Sequence, residues 1–164
     1  MKIPVLAFVG TSNSGKTTLL TKIVSLLSQQ GYRVAVVKHH HHRPQLDQPG
    51  KDTYRYAEAG AQVVVSASPE MTAFLEYRPE PPLAAILERI TDVDIILLEG
   101  FKWEPVPKVE VIRREIRQHL ICQPQELKAV VGDIIFPELD IPQFDINDTE
   151  GVARWLVASY LTAS

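Results

Sequence analysis

Ile3-Pro4-Val5-Leu6-Ala7-Phe8-Val9-Gly10-Thr11-Ser12-Asn13-Ser14-Gly15-Lys16-Thr17 decides how this chain folds. The run from Ile3 to Val9 is almost wholly apolar, the pattern of a strand buried on both faces of a parallel sheet. From Thr17 to Gln29 the period changes: Leu20, Ile23, Val24 and Leu27 recur at helical spacing, and Gly31 supplies a stop. Between strand and helix lies Gly10, four residues, then Gly15-Lys16-Thr17, in the strand–loop–helix context that a phosphate-binding loop requires. Gly10 and Gly15 leave the backbone unobstructed, so the amides of Thr11, Ser12, Asn13 and Ser14 are free to point inward at phosphate oxygens. The helix start adds its positive end. Lys16 is expected to reach the β and γ phosphates, and the Thr17 hydroxyl to hold magnesium, with Thr18 beside them in the first helical turn. The bland alternative, a flexible Gly/Ser turn before an ordinary helix, requires both flanks to match by coincidence.

Working outward, Arg33 to Lys38 reads as a second buried strand, making a βαβ unit with a right-handed crossover. His39 to Lys51 has no period and reads as a long loop at the end of that strand, of a length commonly functional. Asp52 to Ala59 is expected as a helix capped by Asp52 or Thr53, followed by strands at Gln62–Ser66 and Met71–Tyr77 and a helix over Pro81–Ile90. Asp94 to Leu98 is a buried strand delivering Glu99-Gly100. Strands at Val109–Ile112 and Ala129–Val131 and a closing helix from Thr149 to Leu161 complete the pattern. Alternation of strands and helices predicts an α/β protein, a three-layer P-loop NTPase fold with a mostly parallel sheet, as one domain over residues 1–164.

Composition narrows the partners. The chain has 164 residues, 45% of them hydrophobic, enough for the core of one domain. With 23% charged residues and a formal net charge of -3, no basic field attracts nucleic acid and no basic amphipathic segment suggests a membrane surface. No apolar run approaches the roughly 18 residues of a membrane span, and the apolar start lacks a cleavage site ahead of the loop, so a cytoplasmic protein is expected. The single cysteine, Cys122, reads as a packed residue rather than a nucleophile.

Further candidates surround the loop. Glu99, at the exit of an apolar strand, would sit at the carboxyl edge of the sheet and face the magnesium or its waters. Asp94, at the other end of that strand, reads as a residue of the strand's entry. Asp52 either polarises an attacking water or caps a helix. Four consecutive histidines, His39 to His42, follow Lys38 at the same edge as the loop. They suit contact with phosphates or an anionic substrate, suit zinc or nickel given a further ligand, or are simply solvated.

The loop Gly10–Thr17, the segment Lys38-His39-His40-His41-His42, Gly50-Lys51-Asp52-Thr53 with Ala59-Gly60-Ala61, and Leu98-Glu99-Gly100-Phe101-Lys102 occur in that order. Together with Pro107-Lys108-Val109-Glu110 and Asp145-Ile146-Asn147-Asp148 they closely resemble the molybdopterin-guanine dinucleotide biosynthesis protein B family, MobB. The resemblance implies a homodimeric, GTP-binding P-loop protein with weak magnesium-dependent GTP hydrolysis. It also implies a helper of MobA, the guanylyltransferase that attaches GMP to molybdopterin, and molybdopterin itself is a candidate ligand. The Asn-Lys-x-Asp or Thr-Lys-x-Asp element that reads guanine in many GTPases is absent. Asp133, after a late strand, either supplies a carboxylate to the guanine N1 and N2 donors or is a turn aspartate; Pro142, Asn147 and Asp148 would line the same pocket. Slow hydrolysis is expected because no arginine is clearly placed for the transition state, with Arg43 or Arg55 as candidates across a dimer interface. A small-molecule kinase and a metal-delivery GTPase are the alternatives for the same loop.

Overall fold

Val5–Val9 forms β1, followed by helix α1 over Lys16–Gln29 and strand β2 over Val34–Lys38, close to the elements the sequence pattern predicts. The structure is a computed structural model that describes residues 3–162. It divides into two compact units, Met1–His39 with Arg89–Ser164, and His40–Glu88.

The first unit is built on a six-stranded sheet in the order β2-β5-β1-β6-β7-β8, where β5 is Ile95–Glu99, β6 Lys108–Ile112, β7 Leu127–Gly132 and β8 Gln143–Asp145. Every neighbouring pair in it is parallel. β1 and β2 are not adjacent, since β5 pairs with both. That insertion matters for chemistry because it brings the end of β5 beside the Gly10–Thr17 loop.

One face of the sheet carries Leu6, Phe8, Ile95, Leu97, Val109, Val111, Ala129 and Val131, packed against Leu19, Leu20, Ile23 and Leu27 of α1 and Val152 and Leu156 of α4 (Thr149–Leu156). The intervening residues Ala7, Val9, Ile96, Leu98 and Val130 are buried as well. Burial on both faces is why these strands read as continuous apolar runs rather than alternating ones. Each large side chain removed from water there contributes about 1.5–3 kcal/mol before entropy is counted.

β6 is the exception, because Lys108 and Glu110 are buried within it. Charges are tolerated in such a place only when paired and hydrogen-bonded. The Lys108 Nζ donates to the Glu126 carboxylate at 2.6 Å and to the Glu104 carbonyl at 2.9 Å. The Glu110 carboxylate accepts the amides of Ile121 at 2.7 Å and Cys122 at 3.0 Å, tying residues 121–122 to the strand. Burial pushes the Glu110 pKa up, while those amide bonds pull it back. Burial, reinforced by the neighbouring Glu110 charge, pushes the Cys122 thiol up to about 12, which agrees with a packed rather than nucleophilic cysteine.

The second unit contains α2 (Asp52–Glu58), the strands β3 (Val63–Ala67) and β4 (Thr72–Glu76), and α3 (Leu83–Leu87). β3 and β4 form their own antiparallel two-stranded sheet. The connection between them, closed by the Ser68 amide and hydroxyl on the Met71 carbonyl, is far too short for the crossover that a parallel pair needs. Other boundaries shift too. α3 covers Leu83–Leu87, between the N-cap Pro82 and the C-cap Glu88, and so is shorter at both ends than the expected Pro81–Ile90. The closing helix runs regularly to Leu156 and continues as a π-helical stretch over Val157–Leu161.

Candidate functional site

The loop after β1 turns at the carboxyl edge of the sheet with no room to spare. A Cβ on Gly10, whose φ is +155°, would stand 2.3 Å from the Val111 carbonyl oxygen and 2.8 Å from the Ser14 Oγ. Glycine is therefore required by both backbone conformation and close approach. Asn13 also has a positive φ, 64°, and the Ser14 amide closes the turn on the Thr11 carbonyl at 3.3 Å. The Ser14 hydroxyl is buried under the loop without a hydrogen-bond partner among the described residues. Gly15 opens α1 in a left-handed conformation and brings no side chain to cap it. The first amides of a fourteen-residue helix are thus left without a side-chain acceptor, which is the electrostatic setting for an anion.

Lys16 points back across this turn. Its Nζ donates to the carbonyls of Gly10 at 3.0 Å and Thr11 at 2.7 Å. Two of the three ammonium protons thereby hold the loop open, and the third is left for a ligand. Burial lowers the Lys16 pKa, opposed by the charge of Glu99 and assisted by that of Lys38.

Sheet register brings the second part of the site to the first. Phe8 and Lys38 both lie level with Glu99 across the parallel pairings of β5. The Gly100 amide donates to the Phe8 carbonyl and the His39 amide to the Glu99 carbonyl, so the strand ends are held together. In this frame the Thr17 hydroxyl donates to the Glu99 Oε1 at 2.7 Å, and the Lys38 Nζ lies 3.1 Å from the same oxygen and 3.5 Å from the Thr17 Oγ1. Glu99 is a buried carboxylate with a hydroxyl and an ammonium on one oxygen. A hydroxyl beside a carboxylate is a hard oxygen donor pair, and it fits magnesium, which takes few protein ligands and fills its shell with water and phosphate oxygens. Lys38 was not singled out from the sequence as a site residue. Its signal is its place as the last residue of β2, level with Glu99.

The remaining candidates are placed as follows. Asp94 accepts the Arg33 amide at 2.7 Å and pairs with its guanidinium, locking the entries of β2 and β5. Asp133 uses its Oδ1 to accept the Arg114 amide at 2.7 Å, a bond between the ends of β7 and β6 rather than one to its own turn. Asp148 caps α4 by accepting the Gly151 amide at 2.9 Å, and the Asn147 amide donates to Asp145. Asp52, in the second unit, is exposed, ion-paired with Arg55, and stands in the first turn of α2; the N-cap is Lys51, not Asp52 or Thr53. The Thr53 hydroxyl donates instead to Asp47. Arg43 lies over the Tyr77 ring. His39 packs on the Phe101 ring at 5.2 Å, His40 to His42 are exposed, and among the described residues no cluster of three His, Cys, Asp or Glu side chains is arranged to hold a metal.

A glycine loop between the first strand of a parallel sheet and its helix, with an acid at the end of the adjacent strand, defines the P-loop type of α/β protein. Within that class, residues 5–133 match the family "MobB: Molybdopterin guanine dinucleotide synthesis protein B". The chain belongs to this family. It is 38% identical over 159 residues to the molybdopterin-guanine dinucleotide biosynthesis adapter protein of Haemophilus influenzae, covering 94% of this chain and 88% of that one. It is 39% identical over 166 residues to the adapter protein of the same name from Escherichia coli, covering 94% and 92%. Among solved structures, Bacillus subtilis MobB superimposes with a TM-score of 0.78 at 30% identity, over 99% of this chain and 100% of that one.

Proposed function

We propose that the chain is a GTP-binding adapter in the synthesis of molybdopterin guanine dinucleotide, working in the cytoplasm as a homodimer beside a MobA-type guanylyltransferase. The observation that carries the nucleotide part is the bond from the Thr17 hydroxyl to Glu99, directly beside the Gly10–Lys16 turn. The adapter part is supported by the names of the Haemophilus influenzae and Escherichia coli relatives.

In this reading the loop amides and the third proton of Lys16 bind the β and γ phosphates. Thr17 and Glu99 would hold magnesium, which supplies charge neutralisation of the triphosphate. Lys38, 3.1 Å from Glu99, offsets the charge of that carboxylate. Asp133 is the proposed reader of the guanine edge, through the carboxylate oxygen not committed to Arg114. Hydrolysis is slow, because nothing beyond Lys16 and the metal pair is assigned to the developing charge.

Competition decides the base. GTP should displace a fluorescent guanine nucleotide at least tenfold more effectively than ATP, and Asp133→Ala should narrow that ratio; equal competition refutes guanine recognition. Capture of the MobA-type enzyme by the tagged chain should be stronger with GTP present, and capture that ignores nucleotide separates the adapter role from the loop.

A further inference from the structure

The GTP-site reading leaves one cation beside the loop unused. Arg113 follows β6, the strand that flanks β1 on the side away from β5. Its guanidinium lies against Gly15, with Nη2 3.4 Å and Nε 3.5 Å from where a Cβ on that glycine would stand. The side chain is half-buried, and among the described residues no carboxylate or carbonyl accepts a bond from it. Its neighbours on the chain are committed elsewhere: Ile112 is buried, and the Arg114 guanidinium reaches the Asp133 carbonyl.

That position is unfavourable for a cation on its own account. The start of a helix carries partial positive charge and disfavours a second positive group. Lys16, in the same turn, is already one ammonium at that pole. An arginine with its five donors unclaimed is stable there when an anion lies between it and the helix start. The planar fork of a guanidinium suits phosphate oxygens, bidentately where geometry allows.

The side of approach tells which phosphates. Glu99 and Lys38 reach Thr17, at the start of α1, from β5 and β2, marking the metal side. Arg113 reaches it from β6, across the sheet order. We propose that Arg113 is a second cation of the nucleotide site, binding the phosphates nearest the nucleoside from the side opposite the metal, and so gripping a diphosphate as firmly as a triphosphate. This rests on the reading of the loop as a nucleotide site. It makes Arg113 a ligand-binding residue and assigns it no role at the γ-phosphate.

The test is calorimetry with GTP and with GDP, in magnesium, on the native chain, Arg113→Met, Arg113→Lys and Lys16→Ala. Methionine keeps the apolar stem of the arginine and removes its charge, and circular dichroism at the titration temperature verifies that each variant is folded. Arg113→Met should weaken GTP and GDP by a similar factor, about tenfold to a hundredfold, the size of a charge-assisted hydrogen-bond loss. Arg113→Lys should restore part of the loss for both. Affinities within twofold of native for both ligands would overturn the proposal, as would a loss confined to GTP. Native binding abolished by Lys16→Ala but untouched by Arg113→Met would overturn the role of Arg113 alone. A native chain that binds neither nucleotide would overturn the site reading and this inference together.

Discussion

Replacing Gly10 by alanine adds together two costs that the structure allows to be separated. The added methyl at Gly10 would lie 2.3 Å from the Val111 carbonyl oxygen, a backbone atom of β6 that cannot swing aside, and 2.8 Å from the Ser14 Oγ. Gly31, after α1, also has a positive φ, +86°, but a Cβ there meets nothing within 4 Å. Gly31→Ala should therefore cost only the conformational term, about 1–2 kcal/mol. Gly10→Ala adds a term for overpacking, about 1–3 kcal/mol, for a total of about 2–5 kcal/mol. Urea denaturation of native, Gly31→Ala and Gly10→Ala proteins, compared at equal m-values, reads the difference directly. A Gly10→Ala variant no less stable than Gly31→Ala would refute the close approach of loop and β6. Since that approach also places Arg113 beside Gly15, it would weaken the account of both.

Three further outcomes follow from groups within the first unit. Burial lowers the Lys16 pKa from 10.5, and a bound phosphate would raise it, so nucleotide affinity should be complete below the free-protein pKa and fall as pH rises through it; affinity unchanged up to pH 10.5 would contradict this. Glu110→Leu removes the acceptor of two amides and should cost about 2–5 kcal/mol in urea titration, with Glu110→Gln, which keeps one acceptor, nearer half of that. Cys122 should resist maleimide at pH 8 in the native state and react readily in denaturant. Because its thiol rises from 9.0 to about 12 on folding, its contribution to stability should be full below pH 9.0 and decline above it.

The elements that carry the site were legible because their signals are local. An apolar run, two glycines and a switch to helical period lie within residues 3–29, and the Glu99-Gly100 step lies at the end of an equally apolar run. What the sequence does not contain is who sits beside whom. β5 lies between β1 and β2, so the Thr17–Glu99 contact joins residues 82 apart, and Lys38 enters through a register that no periodicity reports. Arg113 is the extreme case: nothing local distinguishes it from Arg114, and only the landing of β6 beside the loop separates their surroundings. β8 was missed because Gln143–Asp145 is three residues long with one apolar side chain, too short for an alternation to register. The hairpin of β3 and β4 was legible as two strands, but composition does not say that a pair forms its own antiparallel sheet. Asp148 illustrates the competing use of aspartate, since one oxygen is committed to the Gly151 amide three residues on, whereas Asp133 bonds the Arg114 amide across the strand ends, a contact no local pattern reports.

The central claim is that Gly10–Thr17 with Glu99 holds a nucleoside triphosphate and magnesium. The most direct measurement is a calorimetric titration of the native chain with GTP, with and without magnesium, repeated on Lys16→Ala and Glu99→Gln. The account predicts one site per chain on the native protein, loss of binding in Lys16→Ala, and loss of the magnesium dependence in Glu99→Gln. Binding of equal strength in the native protein and Lys16→Ala, or a magnesium dependence that survives Glu99→Gln intact, would contradict it.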